Sequence, residues 1–67
     1  MTEADARQGM LAGCEVVYNG VTYRCIKELV ISYDRKKHKF VLFLLLEEMY
    51  VNRWVRVPGQ ACRLVPL

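Results

Sequence analysis

Apolar and polar residues alternate through the middle of this chain, and the alternation predicts β-strands. Over residues 21–34, one set of alternate positions is nearly all apolar and the other is mostly polar, as in a strand with one wet face. Lys27 interrupts the apolar set, so we expect a bend or a β-bulge there. Asn19-Gly20 tolerates positive φ angles, which predicts a two-residue hairpin turn between this strand and a first strand, 15–18.

Three further strands follow from the same reasoning. A polar loop, "DRKKH", ends the second strand, and the third strand runs from Lys39 to about Glu48. The fourth strand covers residues 53–57. Pro58-Gly59-Gln60 then predicts a tight turn of 3₁₀ type, because proline removes a ladder donor and glycine permits unusual φ angles. A short last strand, 62–65, completes a mostly β domain of five strands.

The first thirteen residues predict a short helix or a flexible tail. Thr2 is a candidate N-cap, and Glu3 and Asp5 occupy the first turn, where the helix dipole favours acidic side chains. Gly13 is a C-terminal stop signal. Apolar side chains are few in this segment and short helices are unstable alone, so both alternatives stay open. The chain is thus divided into residues 1–13 and one small domain, 14–67.

The third strand departs from simple alternation. Seven apolar residues follow one another, so both faces of the strand are apolar; they are Phe40, Val41, Leu42, Phe43, Leu44, Leu45 and Leu46. A bulge that switches which alternate positions point inward would account for one or two of them. The remainder need cover from another copy of the chain or from another protein, because the N-terminal segment has too few large apolar residues.

An estimate of the free energies favours a homodimer through residues 40–46. Burying a Leu, Val or Phe side chain contributes roughly 1.5–3 kcal/mol, so three residues from each of two copies contribute about 9–18 kcal/mol. Association costs about 4–15 kcal/mol. The dimer therefore ranges from marginal to favourable, whereas a monomer that exposed the same residues would tend to aggregate.

The length of the chain and its cysteine content restrict the sources of stability and the kinds of site that the domain can have. A chain of 67 residues, 54% of them hydrophobic, buries only about 60% of its unfolded surface and needs a rich core or a partner for stability. Cys14, Cys25 and Cys62 form no Cys-x-x-Cys pair, and His38 is the single histidine, so neither a metal site nor a cofactor is expected. We expect free, buried thiols, with a Cys14–Cys62 disulfide as the alternative.

The net charge is +3, and much of the positive charge lies in the loop after the second strand. Cations attract phosphate and exposed aromatic rings stack on bases, so nucleic-acid binding is the second candidate function. The candidate residues are the loop cations and three residues of the fourth strand: Arg35, Lys36, Lys37, Lys39, Arg53, Trp54 and Arg56. The alternative interpretation is a solvated hairpin tip whose charges deter edge-to-edge pairing.

The sequence contains no arrangement of residues that predicts catalysis. His38 has no Ser or Cys nucleophile in its loop, and Glu47 and Glu48 are adjacent, so on a strand they point to opposite faces. An enzyme is therefore not expected. The chain begins without the pattern of a signal peptide, and its longest apolar run is far below the roughly 20 residues of a membrane helix. We expect a cytoplasmic protein with no membrane partner.

The stretch "WVRVPGQACRLV", residues 54–65, resembles the end of a Src-homology-3-like barrel, in which a fourth strand leads through a proline-containing 3₁₀ turn to a short final strand. The stretch "VVYNGVTYRCIKEL" is similar to the opening hairpin of small bacterial and phage barrels. The resemblance implies a five-stranded SH3-like small barrel. It does not imply peptide binding, because the family's Ala-Leu-Tyr-Asp-Tyr-like segment, acidic loop and paired tryptophans are missing. The sequence therefore favours a non-enzymatic interaction module.

Overall fold

The computed structural model describes residues 1–66, and Leu67, the last residue of the predicted domain, lies outside them. Helix α1 spans Glu3–Ala12. The strands that follow are β1 Val16–Tyr18, β2 Val21–Tyr23, β3 Cys25–Asp34, β4 Lys39–Glu47, β5 Trp54–Pro58 and β6 Cys62–Leu64. A 3₁₀ turn, Gly59–Ala61, joins β5 to β6 at the position that the proline and glycine predicted.

The strands form two antiparallel sheets of three strands each, with the orders β2-β1-β6 and β3-β4-β5. The domain is mostly β, as predicted, but the ladders of residues 1–66 do not close into a five-stranded barrel. The strand count also differs from the prediction, because the predicted second strand is divided at Arg24 into β2 and β3. The backbone N–H of Arg24 donates to the carbonyl of Glu47 at 2.8 Å, so the chain passes from one sheet to the other at this residue.

Three local predictions from the sequence are confirmed. Asn19 and Gly20 have φ angles of 53° and 79°, so they form the hairpin turn between β1 and β2. The ladder between β3 and β4 shifts register between Ile26 and Glu28, which places a bulge at Lys27. Gly13 ends α1 in the left-handed conformation, with a φ angle of 72°.

Helix α1 is capped as its sequence predicts, and it packs on the core through small residues. The Thr2 hydroxyl accepts a hydrogen bond from the N–H of Asp5 at 3.1 Å, and the Asp5 carboxylate accepts one from the N–H of Thr2 at 3.4 Å. Ala6 and Gly9 are buried. A Cβ atom at Gly9 would lie 2.5 Å from Cδ2 of Leu64, so a larger residue there would require the Leu64 side chain to move. The helix therefore needs no large apolar face to dock.

The core combines residues of both sheets and of α1. Leu44, Leu46 and Val16 are its largest fully enclosed side chains. Leu44 is paired with Leu29 on β3 and with Val57 on β5, so all three strands of that sheet contribute to one layer. The placement corrects the predicted interface, because Leu44 and Leu46 have no surface left for a second chain.

Beyond the core, β3 and β4 continue as a projecting hairpin. We call residues 31–42 the arm. β5 pairs with β4 only as far as Phe43, so the arm consists of two strands, and the molecule is elongated, at 36 × 22 × 19 Å. Ile31, Tyr33 and Phe40 continue the core-facing positions onto the arm, where their side chains are 49%, 51% and 72% exposed. The inward-facing apolar side chains of β3 and β4 thus extend beyond the end of the core.

The three cysteines are free thiols, as expected. Cys14 and Cys62 are also buried as expected, whereas Cys25 is half-buried, contrary to the expectation. Burial raises the pKa of the Cys62 thiol, which donates a hydrogen bond to the carbonyl of Pro58 at 3.4 Å. Cys62 therefore acts as a small apolar side chain of the core.

Leu44 and Leu45 lie on opposite faces of β4, so truncating each of them should lower the free energy of unfolding by a different amount. Leu44→Ala removes a fully enclosed side chain, and it should lower the free energy of unfolding by about 2–5 kcal/mol. Leu45→Ala is the matched control, because it deletes the same atoms from the half-buried opposite face and should cost about half as much or less. Urea denaturation of both variants measures the difference. Equal losses would contradict the assignment of β4's inner face to Leu44.

Candidate interaction surfaces

The inner face of the arm carries an exposed aromatic pair. Tyr33 and Phe40 are direct cross-strand partners, and their rings meet edge to face with centroids 5.2 Å apart. Ile31, paired with Leu42, lies two residues closer to the core on the same face. The side chain of Leu42 is half-buried because it packs over Gly59 of the 3₁₀ turn. Apolar surface thus extends without interruption from the core to the tip of the arm.

An open groove adjoins this surface on the side of α1. Its lining residues are Arg7, Met10, Leu11 and Leu29, and its volume is about 410 Å³. Leu11 is 91% exposed, although it is a large apolar residue. The guanidinium of Arg7 is held by the carboxylate of Glu3 at 2.9 Å, one helical turn earlier. We call this cavity the helix groove.

The outer face of the sheet is covered in part by the chain's own cations. Val41, Phe43 and Leu45 point to this face and are half-buried. The guanidinium of Arg56 lies 4.5 Å from the centroid of the Phe43 ring and donates a hydrogen bond to the Ser32 hydroxyl at 3.2 Å. Part of this apolar face, the Phe43 ring, is therefore covered within the same chain by the long side chain of Arg56.

A second groove lies on the outer face beside the loop between β3 and β4. Lys37 and Lys39 line one end, Ser32 and Phe43 form part of its floor, and its volume is about 410 Å³. We call it the outer groove. Because Arg56 also reaches Ser32 and Phe43, three cations of the predicted nucleic-acid surface adjoin this groove.

Local hydrogen bonds shape the basic loop. One carboxylate oxygen of Asp34 accepts hydrogen bonds from the N–H groups of Lys36 and Lys37, at 2.9 and 3.2 Å. His38 completes the turn with a φ angle of 53°. The side chains of Arg35 and Lys36 are exposed at the tip. His38 thus has a conformational role in the turn.

Arg53 and Trp54 do not join the basic loop, contrary to the sequence-based expectation. Trp54 pairs with Glu47 at the far end of β4, and eight residue steps of strand, roughly 27 Å, separate that end from the loop. Lys27 lies 5.5 Å above the Trp54 ring. Arg53 is bound by Glu48, with a hydrogen bond of 3.1 Å. Of the three β5-side candidates Arg53, Trp54 and Arg56, Arg56 is the one that reaches residues of the outer groove.

A third exposed apolar cluster lies near the β1–β2 hairpin. Val21, Tyr50 and Val51 are 53%, 95% and 57% exposed, and they line a shallow cavity of about 240 Å³. This cluster was not expected from the sequence, because Tyr50 and Val51 lie between the third and fourth predicted strands. Isolated apolar residues in turns are common on protein surfaces, so the pattern alone carried no signal.

Metal sites and membrane-spanning helices are absent from residues 1–66. No group of three or more His, Cys, Asp or Glu side chains in this range could hold a metal ion. No described helix has both the length and the hydropathy that crossing a bilayer requires. The chain matches no family model, no curated protein and no solved structure.

Breaking the ion pair between Arg53 and Glu48 should change the pKa of Glu48 by a measurable amount. The hydrogen bond from Arg53 lowers the pKa of Glu48, so the pair stabilises the fold above the ordinary carboxyl range and loses this effect as pH falls through the lowered pKa. Arg53→Ala should raise the pKa of Glu48 towards its ordinary value in a carboxyl NMR titration. Arg7→Ala, which breaks the Glu3 pair instead, is the control and should leave Glu48 unchanged. An unchanged Glu48 pKa in Arg53→Ala would refute the assignment.

Proposed function

We propose that this domain is a non-enzymatic protein-interaction and assembly module that self-associates through the inner face of its arm. The observation that carries the proposal is the Tyr33–Phe40 pair, which lies on a projecting hairpin. Tyr33 is 51% exposed and Phe40 is 72% exposed. Aromatic side chains on an exposed, ordered strand are typical of interface anchors. A monomer would leave this surface in water at a cost in solubility.

The proposed interface is the accessible part of the row of seven apolar residues. Leu44 and Leu46 belong to the core, and Val41, Phe43 and Leu45 lie on the outer face beside Arg56. Phe40 and Leu42 remain, joined by Ile31 and Tyr33 from β3. The interface is therefore proposed on the end of β4 nearest the loop, together with the paired end of β3.

A cytoplasmic location is part of the proposal, as is a relation to SH3-like small barrels. Free thiols at Cys14, Cys25 and Cys62 are typical of a reducing compartment. The passage from β5 through a 3₁₀ turn to the short strand β6 supports the relation in layout. Neither inference assigns a peptide ligand, because the residues that bind polyproline in that family are missing here.

Substitution of the exposed aromatic should abolish self-association without unfolding the domain. Burying Phe40 in both copies contributes roughly 3–6 kcal/mol, so Phe40→Ser should weaken the dimer by about 100-fold or more. Tyr50→Ser is the matched control, because Tyr50 is an exposed aromatic outside the arm. Sedimentation equilibrium measures both. A dimer that tolerates Phe40→Ser and is lost in Tyr50→Ser would place the interface at the other end of the molecule.

A second candidate function, binding of single-stranded nucleic acid, is favoured by the outer groove. The groove combines Lys37 and Lys39 with an aromatic floor at Phe43, and Arg56 adjoins it. Cations along a groove that holds an aromatic ring are the common features of sequence-independent binding to single strands. Against it, Arg56 already lies over Phe43, so a base could stack on this ring only after the guanidinium moved.

The second candidate has its own test. If the outer groove binds a strand, Lys37→Gln with Lys39→Gln should weaken binding to a labelled oligonucleotide and reduce the slope of log K against log salt by about 1.4. Arg53→Gln, which removes a cation outside the groove, is the control and should leave the slope nearly unchanged. Fluorescence anisotropy supplies the measurement. Absence of binding by the unaltered protein at about 50 mM salt would exclude the function.

A further inference from the structure

We propose that the two copies associate by arm exchange: the Tyr33–Phe40 pair of each copy occupies the helix groove of the other. This inference rests on the proposed self-association and adds its geometry. It assigns the groove lined by Arg7, Met10 and Leu11 as the docking site for an aromatic pair from a second copy of the same chain.

The spacing of side chains along the arm supplies the first argument. Three successive cross-strand rows point to the inner face: Leu29 with Leu44, Ile31 with Leu42, and Tyr33 with Phe40. Rows two residues apart place the aromatic row roughly 13 Å from the groove row, with Ile31 midway. A two-fold axis near Ile31 therefore brings the aromatic row of each copy onto the groove row of the other, as a self-complementary interface requires.

The chemistry of the helix groove suits an aromatic occupant. Met10 supplies a flexible apolar wall that adapts to an entering ring, and Leu11 supplies another that is 91% exposed. The guanidinium of Arg7 lines the same groove and can lie over the face of an aromatic ring. Glu3 already holds Arg7 in place, so less side-chain freedom is lost when the ring enters.

Charge favours the same arrangement. Arm exchange brings the basic loop of one copy towards the C-terminal end of α1 of the other. The last turn of α1 contains no basic residue, so the negative end of its dipole has no cation of its own helix beside it. Lys36, Lys37 and their neighbours in the loop supply positive charge from the other copy.

The area is adequate for a specific but weak dimer. A buried aromatic side chain hides about 150–250 Å², so Tyr33 and Phe40, with the exposed fractions given above, contribute roughly 200–300 Å² per copy. Leu11, Ile31 and the groove walls add to this in both copies. The total then approaches about 1,200 Å², the lower end of stable interfaces.

Mixing two interface variants tests arm exchange. Phe40→Glu damages only the inserted ring and Leu11→Lys damages only the groove, so each variant alone has two damaged contacts per dimer. A heterodimer of the two has one intact contact and one in which the introduced carboxylate meets the introduced ammonium group. Both positions are strongly exposed, so both variants should fold. By sedimentation equilibrium, we expect the mixture to associate at least about tenfold more tightly than either variant alone.

A cysteine at the proposed axis gives a second readout. In a Cys25→Ser background, Ile31→Cys should form a disulfide-linked dimer on mild oxidation, because the two Ile31 positions meet across the axis. Val21→Cys is the matched control, with 53% exposure against 49% for Ile31, and it should not cross-link above a background level. Preferential cross-linking through Val21→Cys would overturn the arrangement.

The outcomes separate this inference from the function on which it rests. If the unaltered protein dimerises but the mixed variants show no rescue, arm exchange is wrong and self-association stands. If the unaltered protein stays monomeric at every concentration, self-association itself is wrong, and arm exchange with it.

Discussion

The position of β4 as the central strand of its sheet governs the rest of the structure. β4 pairs with β3 on one side and β5 on the other, and its inner face places Leu44 and Leu46 in the core. A central strand needs apolar residues on its inner face and tolerates them on its outer face when long neighbouring side chains cover them. Arg56 provides such cover over Phe43, so part of the outer apolar face of β4 is shielded within the chain.

The same strand also extends beyond the part of the core that it closes. A domain of 67 residues has a core of limited length. β4 and its partner β3 extend beyond this core towards the loop that joins them. Apolar residues continue along this extension, so exposure of Ile31, Tyr33 and Phe40 is a consequence of strand length and not of a missing side of the sheet. The most exposed apolar surface of this sheet is therefore the inner face of the arm, whereas the sequence pattern assigned all of residues 40–46, on both faces of the strand, to the interface.

Much of the local structure could be predicted from the sequence because short-range chemistry determines it. The Asn19-Gly20 turn, the bulge at Lys27 and the caps of α1 at Thr2 and Gly13 each depend on residues within a few positions of one another. The division of the second strand at Arg24 could not be predicted in the same way. It depends on a hydrogen bond to Glu47, a residue 23 positions later in the chain.

The candidate sites were harder to predict for a related reason. Proximity in the sequence grouped Arg53 and Trp54 with Arg56, but the register of β5 on β4 places the first two at the opposite end of the strand from the basic loop. The helix groove combines Leu29 with residues of α1, and the sequence contained no sign of that pairing. Leu11 appeared in the sequence as one of the few apolar residues of a helix that could equally have been a tail.

The central claim is that the inner face of the arm is covered by a second copy in solution. The most direct measurement is a dilution series of amide NMR spectra of the unaltered protein, from about 1 mM to about 10 µM, the range expected for a weak dimer. We expect concentration-dependent shifts at residues 29–33 and 40–42 and at Leu11, with the signals of β1 and β2 unmoved. Spectra that do not change with concentration, at a tumbling rate typical of a monomer, would contradict the claim.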